Sequence, residues 1–316
     1  MGMGAPREVA RGGEGYPERL ASLVRPPHRV FLEGPWVHAG PVVAIVGSRQ
    51  ANGDGLDMAR FLASRLARAG AAVISGLAHG IDAAAHEGAL GEGGMSGAVL
   101  GTPLDRVYPP RHAALQRRLA GSLGLLSELA PGTPTTKGTF AIRNRLLAAM
   151  ADAVVIVQGR ERSGSLLTAA AARALGRPVG AIPWDPREPL AEAPLSLLWN
   201  GTASLVRHAD DVLELIERAA KGAGARPSPD VVRTSGPSRR PKGFESRRYP
   251  ELDLPLFGPE ARLHGALRRH AEPLEDAAAR CGLPLPAAGA ALVVLELAGW
   301  AERVEGGLVR RRRGGG

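Results

Sequence analysis

Cysteine is nearly absent from this chain of 316 residues, with Cys281 as its single example. One cysteine excludes an internal disulfide framework and favours a reducing compartment, so we expect a cytoplasmic protein. No apolar run approaches the roughly 20 residues of a membrane span, and residues 1–20 lack the apolar stretch of a signal peptide. The sequence therefore predicts neither a membrane protein nor a secreted one.

Lysine and aromatic residues are also scarce: three of the 40 Lys and Arg residues are Lys, and aromatics make up 4%. Arginine abundance alone is therefore weak evidence for a nucleic-acid ligand. Of the net charge of +9, residues 221–250 carry +6, in a stretch rich in Pro, Gly, Ser and Arg. Such a stretch buries little apolar surface, which predicts a disordered linker.

Between residues 41 and 183, short β-rich runs such as VVAIVG (42–47) and AVVIVQ (153–158) alternate with helical stretches. Apolar runs separated by helices indicate a parallel sheet that is covered on both faces. The predicted class is α/β, a Rossmann-like doubly wound and mostly parallel sheet. We expect a disordered N-terminus at 1–14, this domain at 15–220, a linker at 221–258 and a small domain at 259–313.

Three helical stretches and a possible hairpin around a Gly-Gly pair make a winged helix-turn-helix the best interpretation of residues 259–313. Residues 281–300 contain no Lys or Arg. Since phosphate contacts dominate DNA affinity, this argues against a major-groove reader and favours a protein contact or an accessory role, with residues 310–313 touching DNA nonspecifically.

In open α/β sheets, ligands bind beyond the carboxyl ends of the strands, and four polar clusters fall there. Two of them combine small residues with hydroxyl groups before a helix, which suits backbone N–H contacts to a phosphate or a plain turn and helix cap. They are Gly47, Ser48 and Arg49 after the first strand, and Ser163, Gly164, Ser165 and Thr168 at the start of a later helix.

A third cluster is SGLAHGIDAAAH, where Gly76 and Gly80 form a tight turn. Asp82 and His86 lie four residues apart on one helix face, so Asp82 is expected to cap the helix and bond His86. No spacing supplies a third ligand, so no metal site is predicted.

The fourth cluster, KGTFAIRNR, carries Lys137, Phe140, Arg143, Asn144 and Arg145. Arginines at a helix start need an anion opposite them, because that end already carries partial positive charge. Cations beside an exposed aromatic ring suit single-stranded nucleic acid. The alternative is that Phe140 is a core residue and the arginines are solvated.

Motifs of the common catalytic sites are missing, including GxGxxG, the P-loop pattern and a GxSxG elbow. Nor is a carboxylate pair placed for hydrolysis. The predicted site is built to hold a ligand rather than to react with it, and no cofactor is expected.

The stretches VAIVGSR, SGLAHGIDAAAH, DRVYPPRH and TTKGTFAIRNRLLAAMADAVVIVQGRERSGSLLT resemble the DNA-processing protein A family, DprA or Smf, from about residue 15 to 215. The resemblance implies a non-enzymatic protein that binds and protects single-stranded DNA and loads the RecA recombinase onto it during natural transformation. It also implies a homodimer formed through the Rossmann-like domain.

By motif, the resemblance assigns DNA binding to Arg49, to Lys137 and Phe140 with the RNR triplet, and to the SGSLLT residues. Four features depart from the family pattern: Ala141 in place of Pro, His112 in place of Asn, His79, and the stretch AIPWDP. The helical N-terminal domain of many relatives is expected to be absent.

Two other functions stay open at this stage. One is a nucleotide phosphoribohydrolase resembling the LOG proteins, whose P-G-G-x-G-T-x-x-E motif carries a reactive Glu. The corresponding stretch here, RERSGSLLTA, has neither the Gly-Gly pair nor that Glu. The other is a nucleotide-sensing domain that reports through the winged helix.

Overall fold

The structure is a computed structural model that describes residues 6–161, 163–222, 259–268, 270–297, 301–304 and 308–311. The chain divides into two compact units, Met1–Gly224 and Ala225–Gly316. Within the described ranges, no helix is both long and apolar enough to cross a membrane.

Strands and helices alternate along the first unit. The strands are β1 (Arg7–Ala10), β2 (Arg29–Glu33), β3 (Val42–Val46), β4 (Ala72–Ser75), β5 (Ser96–Leu100), β6 (Gly124–Ser127), β7 (Ala153–Ile156), β8 (Val179–Ala181) and β9 (Ser204–Leu205). The helices are α1 (Gly53–Arg68), α2 (Ile81–Gly91), α3 (Ala113–Ala120), α4 (Lys137–Met150), α5 (Gly164–Ala174), α6 (Glu192–Trp199) and α7 (Ala209–Gly222), with short 3-10 turns at Glu18–Ser22, Pro110–His112 and Pro189–Ala191.

These strands form one sheet in the order β1-β2-β6-β5-β4-β3-β7-β8-β9. The pairs from β6 to β9 are parallel, whereas β2 pairs antiparallel with β6 and β1 antiparallel with β2. From β3 the chain adds β4, β5 and β6 on one side and then returns to place β7 on the other side. The sheet therefore has a topological switch point between β3 and β7.

Strand β3 shows why both faces of the sheet are covered. All five of its residues are buried, and successive side chains point to opposite faces. Val43 and Ile45 pack with Leu62 of α1 in one core cluster. Val42 and Ala44 pack with the α4 residues 146–150 in another. The continuous apolar run in the sequence therefore reflects a strand buried on both sides.

The predicted α/β class is confirmed, and β3 and β7 lie within the predicted runs at 42–47 and 153–158. Helix α1 begins at Gly53, because the Asn52 side chain caps it by accepting a bond from the Gly55 N–H at 3.0 Å. Strands β1, β2 and β9 and helices α6 and α7 were not predicted.

Part of the stretch expected to be disordered, 1–14, is ordered: β1 pairs with β2 along its length, with Val9 opposite Val30. Val9 is the only buried residue of β1. Such a short edge strand has no hydrophobic pattern of its own, and its order comes from pairing with β2.

The second unit contains α8 (Pro259–Ala266), α9 (Leu274–Arg280), α10 (Leu285–Leu297), β10 (Ala301–Arg303) and β11 (Val309–Arg311). The two strands pair antiparallel, and Leu263, Leu292 and Val309 lie in one core cluster. Three helices and a hairpin are therefore present, as predicted. Of the predicted linker at 221–258, residues 221 and 222 instead end α7. The remaining residues, 223–258, and the predicted turn at Gly306 and Gly307 lie outside the described residues.

Candidate nucleic-acid interface

A groove of about 760 Å³ lies at the switch point, beyond the carboxyl ends of β3 and β7. Its walls are the loops after β3, β4 and β7, the segment around Tyr108, and the starts of α4 and α5. Most of the predicted site residues line it: Gly47, Ser48, Arg49, Asp82, Phe140, Arg143, Asn144, Ser163, Gly164, Ser165 and Thr168. Four clusters that are far apart in sequence thus meet at one groove.

Backbone contacts hold the loop after β3 against the end of β7 and against the loop after β4. The Ser48 N–H donates to the Gln158 carbonyl at 2.7 Å, and the Ser48 carbonyl accepts from the Ile81 N–H at 3.2 Å. Gly80 has a φ of +75°, and a Cβ there would lie 2.2 Å from the Ser48 carbonyl oxygen. Only glycine fits this turn, and the contact fixes where Arg49 leaves the loop.

Arg49 is exposed and lies over the ring of Phe140, with its Cζ atom 5.4 Å from the ring centroid. This distance is within the range of a cation–π interaction. No ion pair to Arg49 occurs in the described parts of the chain. Its guanidinium group therefore faces the groove with its charge uncompensated by the protein.

Phe140 is half-buried and is neither a core residue nor a free surface residue. One side packs against Gly101, where a Cβ would lie 2.6 Å from the ring. Its ring centroid lies 5.3 Å from that of Tyr108, at an interplanar angle of 49°. Tyr108 is 45% exposed and lines the groove. It was not predicted as a site residue, although tyrosine is scarce in this chain and Tyr108 follows the end of a strand.

The guanidinium group of Arg143 does not face solvent as expected, because the residue is only 6% exposed. One terminal N–H donates to the Val99 carbonyl, and the group packs over Gly76, which has no side chain to obstruct it. Burial lowers the pKa of Arg143 to about 10, against the attraction of the Asp82 charge. We therefore revise its role to support of the groove floor.

The predicted bond between Asp82 and His86 is not formed. Asp82 instead accepts from the backbone N–H groups of Gly76 and Ala78, at 3.1 and 3.3 Å. Burial raises its pKa, while the Arg143 charge opposes that shift. Asp82 thus fixes the turn after β4 from within.

His86 lies in the core with no exposed surface. Its Nδ1 is 2.9 Å from the Ser96 hydroxyl, which itself donates to the Val73 carbonyl at 2.8 Å. His86 therefore donates from Nδ1, and its lowered pKa keeps the ring neutral near pH 7. Burial lowers its pKa to about 3.

Asn144 and Arg145 point in different directions from Arg143. Asn144 donates to the Gly164 carbonyl at 3.2 Å and ties α4 to the start of α5. Arg145 forms a two-pronged ion pair with Glu128 at 2.6 Å and donates to the Arg25 carbonyl at 3.2 Å. It is not among the groove-lining residues. The anions opposite Arg143 and Arg145 therefore include carboxylates of the protein itself, Asp82 and Glu128.

The start of α5 forms the opposite wall. Ser163 caps the helix, since its hydroxyl accepts from the Ser165 N–H at 3.3 Å. Thr168 is buried one turn further on. Arg160 is exposed, lines the groove and was not predicted. The wall therefore combines a helix N-terminus with a cation, which favours a bound anion. Lys137 begins α4, and its side chain lies outside the described part of the structure.

Comparisons with known proteins assign both units. Residues 8–217 match the family of DNA recombination-mediator protein A, and residues 250–307 match the DprA winged helix domain. The chain is similar to protein Smf of Escherichia coli (strain K12), 36% identical over 308 residues, which are 96% of this chain and 77% of the relative. It spans only 62% of the length of a relative from Mycobacterium tuberculosis, which is 38% identical over 264 residues.

Two solved structures are also similar. The X-ray structure of DNA processing protein A from Streptococcus pneumoniae has a TM-score of 0.63 and 34% identity, covering 66% of this chain and 74% of that chain. DNA processing protein A from Helicobacter pylori has a TM-score of 0.61 and 27% identity, covering 68% and 96%. The latter structure concerns a single-stranded DNA binding mode.

Proposed function

The chain belongs to the DNA recombination-mediator protein A family, and we propose that its groove binds single-stranded DNA independently of sequence. The observation that carries the proposal is the exposed Arg49 over the half-buried ring of Phe140, inside a groove at the switch point. A cation beside an aromatic face offers both phosphate neutralisation and base stacking. The similar H. pylori protein binds single-stranded DNA.

The two walls of the groove offer different contacts to a DNA strand. Phe140 and Tyr108 present ring faces on one side, and a base has a π-face whatever its identity, so this contact tolerates any sequence. Arg160 and the start of α5 present a positive wall on the other side. A flexible strand with unpaired bases can use both walls, whereas a duplex keeps its base faces stacked inside.

The family also supports finer proposals: protection of incoming DNA, loading of RecA in the cytoplasm during transformation, and action without catalysis. A homodimer formed by the first unit is supported by edge strand β9. Leu205, within β9, is 49% exposed, and Trp199, at the end of α6, is 82% exposed. Large apolar side chains at an unpaired sheet edge favour a protein contact.

The enzyme alternative finds less support. Asp82 is the one acid among the described residues that line the groove. It is 5% exposed, and two backbone N–H groups already bond its carboxylate. A general base needs a carboxylate that can reach the substrate, and Asp82 is instead committed to the turn after β4.

The test is binding of a fluorescent dT oligomer and its duplex at about 50 and 200 mM salt. We compare the wild type with the double variant Arg49→Ala and Arg160→Ala. The matched control is Arg65→Ala with Arg118→Ala, which removes two arginines from the last turns of α1 and α3 that do not line the groove.

We expect the wild type to prefer the single strand and to lose affinity steeply with salt. Removing one arginine that neutralises a phosphate should flatten the log–log salt slope by about 0.7. The groove variant should therefore flatten the slope by about 1.4, and the control should leave it unchanged. Absence of binding by the folded wild type, or equal slopes for the two double variants, would contradict the proposal.

A further inference from the structure

A second basic cluster lies beside the groove, formed by His79, Arg111 and His112. The Arg111 Nε–H donates to Nδ1 of His79 at 2.9 Å. The His112 Nδ1–H donates to the Leu77 carbonyl at 3.0 Å. The two imidazole rings meet edge to face, with centroids 5.0 Å apart. Each ring therefore has a fixed orientation, although the cluster lies at the surface.

This cluster continues the groove on the side of Arg49. His79 follows Ala78, a groove-lining residue of the loop after β4. Arg49 is near enough for its charge to act on His79. Arg111 follows Tyr108 by three residues, in the segment that carries the aromatic ring into the groove. His79 and Arg111 are thus joined through short chain segments to residues that line the proposed DNA site.

Within the described part of the chain, no carboxylate pairs with this basic cluster. The charged groups that act on His79 are Arg111, His112 and Arg49, and all of them are basic. Partial burial and these cations lower the pKa of His79. The exposed Arg111 bonds His79 through Nε, and no described residue accepts from its two terminal nitrogens. An anion placed here would relieve the repulsion among these groups.

Given the proposed function, we propose that Arg111 and His79 form a second phosphate seat. It binds the DNA backbone phosphate next to the nucleotide that stacks on Phe140. Arg111 offers its two terminal nitrogens, which suit the oxygens of a phosphate. Nδ1 of His79 accepts from Arg111, so the proton of the neutral ring is on Nε2 and can donate to the same phosphate. His112 positions His79 from the side.

The seat has two measurable consequences. First, Arg111 adds one phosphate contact, so it contributes about 0.7 to the salt slope of single-strand binding. Second, the seat uses the neutral form of His79, because a proton on Nδ1 would remove the acceptor for the Arg111 Nε–H; the lowered pKa of His79 favours this form. Affinity should therefore not increase as the pH falls from about 8 to about 6.

The experiment measures anisotropy of a fluorescent dT oligomer with the full chain, across salt concentrations and at about pH 6 and 8. The variants are Arg111→Ala, His79→Ala and Arg49→Ala. Arg118→Ala, which removes an exposed arginine from the last turn of α3, is the charge-matched control. The exposed positions of Arg111 and Arg118 allow both variants to fold, which thermal unfolding checks.

We expect Arg111→Ala to weaken binding about fivefold at low salt and to flatten the slope by about 0.7. Arg118→Ala should leave both unchanged. The wild type should gain no affinity at the lower pH, and His79→Ala should weaken binding at both pH values.

Two results overturn the inference in distinguishable ways. If Arg49→Ala weakens binding and Arg111→Ala matches Arg118→Ala, the second seat is wrong and the groove proposal stands. If the wild type does not bind the oligomer, or Arg49→Ala binds like the wild type, the proposed function fails and the second seat fails with it.

Discussion

Replacing Phe140 by Leu separates stacking from charge in the groove. Leucine keeps apolar contact with Gly101 and changes the packed volume little, so the cost in folding free energy should stay below about 1.5 kcal/mol. What it removes is the flat ring, whose centroid lies 5.3 Å from that of Tyr108 and 5.4 Å from Cζ of Arg49. The charge of the groove is unchanged.

The expected effect on affinity follows from this geometry. One aromatic stacking surface contributes about 1–3 kcal/mol per base, which is roughly a fivefold to 150-fold change in affinity. The interaction of Arg49 with the ring, about 0.5–1 kcal/mol at an exposed site, disappears from both the free and the bound protein and adds little. Phe140→Leu should therefore weaken binding at every salt concentration and leave the salt slope unchanged. Arg49→Ala should instead flatten that slope by about 0.7.

The assay is a salt titration of dT-oligomer binding by anisotropy, with Phe61→Leu as the control. Phe61 is 51% exposed in the middle of α1 and does not line the groove. Affinity of Phe140→Leu within about twofold of the wild type would refute the stacking role. A slope flattened as much as in Arg49→Ala would refute the separation of stacking from charge.

Two further predictions concern the groove floor and the core beneath it. The folded-state pKa of His86, about 3, is below its ordinary value of 6.5, so its contribution to stability is fully present above pH 6.5 and decreases as the pH falls toward 3. Chemical denaturation should show that the unfolding free energy decreases by about 1.4 kcal/mol per pH unit in this window. The decrease should be smaller in His86→Gln, and an unchanged profile in that variant would contradict the prediction. A Cβ on Gly76 would lie 2.1 Å from a terminal nitrogen of Arg143, so Gly76→Ala should lower the unfolding free energy by about 1–3 kcal/mol. Gly53→Ala, with nothing within 4 Å of the added Cβ, is its control, and equal stability of the two variants would count against the buried position of Arg143.

Local patterns were sufficient for the fold class and for the expectation that the candidate residues meet at one edge of the sheet. Apolar runs and helical periods depend on neighbours along the chain, and the carboxyl ends of parallel strands share one edge of a sheet. The loops after Val46 and Ser75 and the starts of α4 and α5 therefore had to meet. Edge strand β1 lacked such a pattern, because its order depends on pairing with a strand about 20 residues away.

The orientation of individual side chains was decided by the tertiary structure. Arg143, Asn144 and Arg145 are consecutive, and each step around a helix turns the side chain by about 100°. One guanidinium group is buried under the groove against Val99, and the other pairs with Glu128, which is 17 residues away in sequence. The charge pattern alone shows that arginines need anions, but not whether the anion is DNA or the protein's own carboxylate.

Tyr108 also shows what local sequence patterns do not predict. Its ring contacts that of Phe140, a residue far along the chain, and no local sequence pattern predicts a contact between residues so far apart. Sequence by itself determined which residue types stand at the carboxyl edge of the sheet, since that follows from strand order and loop position. Which of them face the groove depends on contacts between segments distant in sequence, and only the folded chain brings those segments together.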